Sequence, residues 1–365
     1  MRAPKLFSPG PVMVKENVRY SLLHCDICHR GAEFEAMFVD TQEKIKKLFN
    51  ADDSYYSLIV SGSGTSANET ALSSLFKAGE EVLLIKNGVF GERLEEIIDK
   101  YNVPKVLASF EWAEYPDVNK IEQAIKANPK VTVVAMVFHE TSTGMINPVP
   151  EVGALCKKYN KLLYVDSVSA AGGQHIDVVK NNIAITSSVG GKCVGAYPGS
   201  AYICAREDVL KSITAEQCKN VYLSLYKHYA SAVASHQTPN TPNVTLFWAL
   251  NQALTNILDE GLDNRVKGRE RCAKILRDGV KEMGLEILLN EHMSNTVTSV
   301  FAPKGVDSKE LLKGMEERGY VLYIGKGKYT AMGMFQIANM GEIYEDDCYA
   351  FLKVLGDYLK ELKNK

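Results

Sequence analysis

No stretch of this 365-residue chain stays apolar for the ~18 residues that a membrane-crossing helix needs. The opening MRAPKLFSPGPVMV has no apolar core of the secretory kind, so a cytoplasmic protein without a membrane partner is expected. Charge of one sign is also missing. Lys and Arg number 42 against 44 Asp and Glu, a net charge of −2, and nothing advertises nucleic acid or an anionic surface. The eight cysteines are scattered, which excludes a disulfide framework and points to free thiols in a reducing compartment. Cys25 and Cys28 form a CxxC with no second pair or spaced His, so no metal is expected and two packed thiols are the simpler reading. Internal repeats and low-complexity segments are absent as well.

What is present is ordinary globular composition, 46% hydrophobic and 24% charged, in a chain long enough for a large domain and a smaller one. Strand-like runs at Tyr55–Val60, Glu81–Lys86, Val103–Phe110, Val131–Phe138 and Lys161–Val165 alternate with helical periodicity at 33–49, 67–76, 94–101, 118–127 and 150–159. Repeated β-loop-α units predict a parallel sheet with helices on both faces, an α/β fold. Helical patterns follow at 210–229, 244–260 and 265–283. From Glu286 the pattern changes to short strands (ILLN, VTSVFA, YVLYI, MFQIA) with helices at 308–318 and 346–362. The division expected is a large domain at 15–260 and a small α+β domain at 261–365 that takes in the proline-punctuated arm 1–14, which either lies over a groove or a partner subunit or is a plain surface arm.

The chain is organised around residues 181–206, NNIAITSSVGGKCVGAYPGSAYICAR, where Lys192 sits in a glycine-rich turn between strands. Upstream, KLLYVDSVSAAGG carries Asp166 at a strand end. An amine to hold an aldehyde as a Schiff base, and an acid to keep a pyridine nitrogen protonated, are the two groups a pyridoxal phosphate site requires. Strand Tyr55–Val60 runs into Ser61-Gly62-Ser63-Gly64-Thr65-Ser66 and then a helix, a cup of free N–H groups suited to a single phosphate. No Walker lysine or GxGxxG is present there, which argues against a nucleotide. Phe90, between two glycines, could lie on a ring or simply anchor the core. His139-Glu140-Thr141-Ser142-Thr143-Gly144 ends another strand at the edge where ligands collect. The cluster His24, Asp26, His29, Arg30 reads as an orienting or packing group.

Several separated stretches now combine: FSPGPV at 7–12, CHRGAEF at 28–34, SGSGTSANE at 61–69, NGVFGER at 87–93, ETSTGMINP at 140–148, YVDSVSAAGG at 164–173, KCVGAYPG at 192–199 and YIGK at 323–326. In order and spacing the chain resembles the class V aminotransferases, fold-type I pyridoxal phosphate enzymes, and within them the 2-aminoethylphosphonate:pyruvate transaminases. The resemblance implies a mainly parallel seven-stranded sheet and a smaller C-terminal α+β domain. It implies pyridoxal 5'-phosphate, with Lys192 bonded to it, Asp166 on the pyridine nitrogen, Ser63, Gly64 and Thr65 on the phosphate, Phe90 stacked on the ring and Thr141 near its O3′. It also implies a homodimer with interface sites, in which Thr238 or Thr241 reaches the partner's cofactor. The activity implied is transfer of an amino group from a small-molecule amine donor to a 2-oxo acid acceptor.

One position departs from the family pattern. Gln336, in MFQIANMG, stands where an arginine clamping the substrate's acid group is expected, and a neutral amide replaces a bidentate cation. Gly190-Gly191 before the lysine also differs from the usual spacing. Either another cation takes over, with Lys326, Lys328 and Arg30 as candidates, or the substrate differs. Alanine:glyoxylate or serine:pyruvate transamination is the nearest alternative, and a pyridoxal phosphate lyase or decarboxylase on the same fold is the next.

Overall fold

The computed structural model describes residues 4–363. Residues 1–3 of the arm and 364–365 at the other end lie outside the described residues. Seven strands build the main sheet: β1 Tyr55–Gly62, β2 Glu81–Lys86, β3 Lys105–Ser109, β4 Val131–Val137, β5 Leu162–Asp166, β6 Ile185–Val189 and β7 Gly199–Arg206. Their order is β1-β7-β6-β5-β4-β2-β3. All contacts are parallel except those of β7, which runs antiparallel to both β1 and β6. β1 therefore runs the same way as β6, and the carboxyl ends of β1, β2, β4, β5 and β6 share one edge.

The central strands read as continuous apolar runs because both faces are covered. Val82–Ile85, Val133–Met136 and Leu163–Val165 are all buried. Helices Ala32–Leu48 and Val244–Glu260 pack on one another beside β7, and Val149–Lys158 packs on β5. A second core joins Phe7 of the arm to helices Leu262–Glu282, Ser308–Glu317 and Glu345–Lys363 and to a three-stranded sheet, β8 Val297–Phe301, β10 Met334–Ala338 and β9 Tyr323–Ile324. Phe7 stacks on Phe351 with centroids 4.5 Å apart, which pins the arm.

Five local features differ from the sequence pattern. The helix predicted at 94–101 begins at Val89, because the Glu140 carboxylate accepts the N–H groups of Phe90 and Gly91 at 3.1 Å. This cap comes from a distant segment and leaves no local signal. The helix expected at 210–229 breaks into Glu207–Ser212 and Leu225–Ser235, since Thr214 and Gln217 form a capping box and Ser224 caps the next start. ILLN forms only an isolated bridge, Ile287 with Val300. The YVLYI run splits: Tyr320–Val321 pairs with Lys5–Leu6 of the arm, while Tyr323–Ile324 pairs with β10. Cys25 and Cys28 are exposed rather than packed, in a surface coil.

Candidate active site

Lys192 follows β6 through Gly190-Gly191 in a tight loop that returns as β7. The loop is closed by Gly190 N–H to Ser200 O and Ala196 N–H to Gly190 O, both 2.8 Å, and by Gly195 N–H to Lys192 O at 2.9 Å. Arg265 clamps it from helix Leu262–Glu282, donating to Cys193 O at 2.7 Å and to Gly172 O at 3.2 Å. Burial, with Lys326 and Arg93 nearby, lowers the Lys192 pKa to about 8, against partial opposition from Cys193 and Asp166. A neutral amine fraction therefore exists near neutral pH.

Asp166 ends β5, next to β6 at the same edge, and is buried. Its carboxylate accepts from Asn68 Nδ2 at 2.6 Å and from the Val168 N–H at 2.9 Å. Asn68 is oriented in turn by the hydroxyls of Tyr164 and Ser187, which donate to its Oδ1. Desolvation raises the Asp166 pKa despite these two donors. A buried carboxylate of this kind is completed by a cation such as a protonated pyridine nitrogen.

The helix after β1 starts at Gly64, earlier than its apolar pattern suggests, because Ser63 takes the extended backbone of an N-cap (φ −87°, ψ 174°). The first turn of this helix lies at the same sheet edge as Lys192, and Ser63 is exposed. A Cβ on Gly64 would come within 2.6 Å of Val168, the residue whose N–H holds Asp166, so this helix start and the acid are packed directly together. Among the described residues no group of three or more His, Cys, Asp or Glu could hold a metal.

The arm reaches the centre of this edge. Lys192 Nζ donates to the carbonyl of Pro9, and a Cβ on Gly10, whose φ is +120°, would sit 2.7 Å from that nitrogen. Gly10 is required by conformation and by contact alike. Gly10→Ala is expected to lower turnover by at least about tenfold and to cost about 1–3 kcal/mol of stability. Initial rates and thermal melts check it.

The other predicted residues are placed as follows. Phe90 lies in the first turn of its helix, with the Arg93 guanidinium 5.2 Å and Lys326 Nζ 5.1 Å from its ring centroid. Thr141 is buried, its hydroxyl 3.3 Å from His139 O. Its carbonyl accepts from Gln336 Nε2 at 2.7 Å, and the same Nε2 donates to Ser299 Oγ at 3.0 Å. Both N–H groups of Gln336 are spent joining β10 to the Thr141 segment. Arg30 donates to Gln237 Oε1 and Thr238 O, both at 2.8 Å, which orders the 237–243 loop. In that loop the Thr238 hydroxyl bonds Asn240 O at 2.7 Å, whereas Thr241 is exposed. Lys328 pairs with Glu111 at 3.1 Å.

The family model described as aminotransferase class-V matches residues 13–344. The chain belongs to the class V aminotransferases. This aminotransferase is 35% identical to an uncharacterized aminotransferase of Methanocaldococcus jannaschii, over 98% of this chain and 93% of that one. It is 31% identical to a 2-aminoethylphosphonate–pyruvate transaminase of Vibrio vulnificus, over 94% of each. A solved pyridoxamine-pyruvate aminotransferase from Mesorhizobium loti superposes with a TM-score of 0.91 at 26% identity, covering 98% of this chain and 93% of that one. The aminotransferase uses pyridoxal 5'-phosphate, and the lysine, acid and helix N-terminus at one sheet edge fit that group.

Four groups around the aminotransferase's site escaped the sequence reading. Asn68 orients the acid from inside the SANE motif. Glu140, fully buried with a raised pKa from desolvation, caps the Phe90 helix. Arg93 closes the NGVFGER motif. His139 donates its Nδ1 proton to Ser169 O at 3.0 Å, and burial holds it neutral with a pKa of about 4. Asn68, Glu140 and Arg93 lay in motifs beside residues already singled out, whereas His139 did not belong to one.

Proposed function

We propose that this aminotransferase moves an amino group from 2-aminoethylphosphonate, or a related small amine, to pyruvate, giving phosphonoacetaldehyde and alanine. The carrying observation is the 31% identity with the Vibrio vulnificus transaminase over 94% of both chains, in a chain whose Lys192 and Asp166 meet at one sheet edge. Bound pyridoxal phosphate supplies an aldehyde that accepts the amino group and a ring that accepts electrons. Lys192, as the neutral amine, takes a proton from the donor's Cα and returns it one atom away. Asp166 holds positive charge at the ring nitrogen. Ser63, Gly64 and Thr65 hold the phosphate, and Phe90 and Thr141 fix the ring. Pro9 and Gly10 cover Lys192 and limit the water reaching it.

We read the working unit as a cytoplasmic homodimer. The single chain leaves Ser63 exposed and places the large apolar side chains of Tyr20, Leu23, Val221, Tyr222 and Val233 on its surface, which supports a partner chain. Thr241, which is exposed while the Thr238 hydroxyl is bonded to Asn240 O, is then the loop threonine that reaches the partner's phosphate.

The test is incubation of purified holoenzyme with 2-aminoethylphosphonate and pyruvate, following alanine. Alanine equimolar with aldehyde is the expected result. No alanine, together with turnover of another amine, overturns the named donor but not the aminotransferase.

A further inference from the structure

The donor's acid group needs a counter-charge, and the usual position for it carries Gln336. That side chain is buried, neutral, and has given both N–H groups to Thr141 and Ser299. Arg30 is spent on the 237–239 loop and Lys328 on Glu111. Lys326 and Arg93 remain. Neither side chain has a hydrogen bond or a carboxylate partner among the described residues, although Lys326 is half-buried. Both stand about 5 Å from the Phe90 ring, at 5.1 and 5.2 Å, and both lie close enough to Lys192 to lower its pKa. Arg93 also disfavours the charge on Lys326, whose pKa is lowered by desolvation first and by Arg93 second. The nearby carboxylate of Glu140 does not neutralise them by contact, because it is committed to the N–H groups of Phe90, Gly91 and Ser142.

We infer that Lys326 and Arg93, flanking Phe90, are the receptor for the substrate's acid group and take over the role absent at Gln336. Two like charges held together without a partner favour an anion that both can reach. A phosphonate, with two negative charges and three acceptor oxygens, suits the pair better than a carboxylate. Lys326 is delivered by the loop after β9, whose Tyr323 registers opposite Gln336, so the second core supplies this charge to an edge built by the first. Trp112 packs on Gly327, where an added Cβ would meet its ring at 2.5 Å, and fixes the path of that loop. The inference rests on the amino-transfer reading and names the group that selects its donor.

The experiment is calorimetric titration of holoenzyme with ethylphosphonate and with propionate, which lack the amine and cannot react. Wild type, Lys326→Met, Arg93→Met and the control Lys328→Met are compared, with cofactor content read from absorbance. Lys326→Met and Arg93→Met are each expected to weaken ethylphosphonate by about 10- to 100-fold, as loss of a charged hydrogen bond does. Propionate should weaken less, and Lys328→Met should change neither. Unchanged affinity in Lys326→Met, no binding of either anion by wild type, or loss of cofactor in parallel with loss of the anion overturns the receptor. If wild type prefers propionate and Lys326→Met weakens it, the receptor stands and the phosphonate donor falls.

Discussion

Lys192→Ala is expected to lower transamination by at least about 10³-fold, within the range by which a positioned acid–base group accelerates a proton transfer. The cost is large because the other groups at this edge are poor substitutes: Asp166 is committed to Asn68 and Val168, and burial leaves His139 a weak base with a pKa of about 4. Lys192→Arg should fail equally, since guanidinium keeps its proton. The pH dependence has a definite sign. With its pKa near 8, the wild-type amine is mostly protonated below that pH, so the rate at which cofactor-free protein captures pyridoxal phosphate should rise through pH 8 and then level. Stability runs with it. The folded pKa lies below the ordinary 10.5, so the buried ammonium costs stability below pH 8, and the cost is relieved between 8 and 10.5. Cofactor-free Lys192→Ala should therefore melt no lower than wild type at pH 7 while losing turnover. Stopped-flow absorbance, initial rates and thermal melts read the three effects. More than a tenth of wild-type turnover in Lys192→Ala would show that another group moves the proton.

The sheet edge that carries this chemistry was legible because its causes are local. Strands buried on both faces write continuous apolar runs, and residues 81–86 and 334–338 match the pattern to the residue. Lys192 and Asp166 stood out because one lies in a glycine turn between two strand runs and the other ends a continuous apolar run, and the fold brings both, buried, to one edge. What stayed hidden depends on partners far along the chain. Glu140 caps a helix 49 residues upstream through Gly91, and nothing around Val89 announces an early start. The Pro9 carbonyl meets Lys192 across 183 residues. Gln336 shows the same limit from the other side. Its identity reveals that a cation is missing, but only the fold shows that its amide is used up and that Arg30 and Lys328 are engaged elsewhere.

Asp166→Asn separates the charge of the acid from its shape. The variant is expected to lose about 10²- to 10³-fold in turnover, the typical penalty for removing one preorganised charge-stabilising group. Its fold should survive, and the reason lies in the shell behind it. An asparagine keeps one oxygen for the Val168 N–H but turns an NH₂ toward Asn68, which now donates at 2.6 Å. Asn68 can rotate its amide to accept that NH₂, because the Tyr164 and Ser187 hydroxyls on its other side can switch from donating to accepting. The network stays satisfied with no charge in it. Burial holds the Asp166 pKa above its ordinary value in the cofactor-free chain, so the ionised carboxylate costs stability at neutral pH that is absent below the unfolded pKa. Cofactor-free Asp166→Asn should then melt at or above the wild-type temperature at pH 7, with the gap closing as the pH falls toward 4. A merely structural carboxylate would give the reverse, a lower melting temperature with turnover nearly intact. Asp166→Ala is the companion variant: it leaves Asn68 Nδ2 and the Val168 N–H unpaired in a buried site and should lose both activity and about 1–3 kcal/mol of stability.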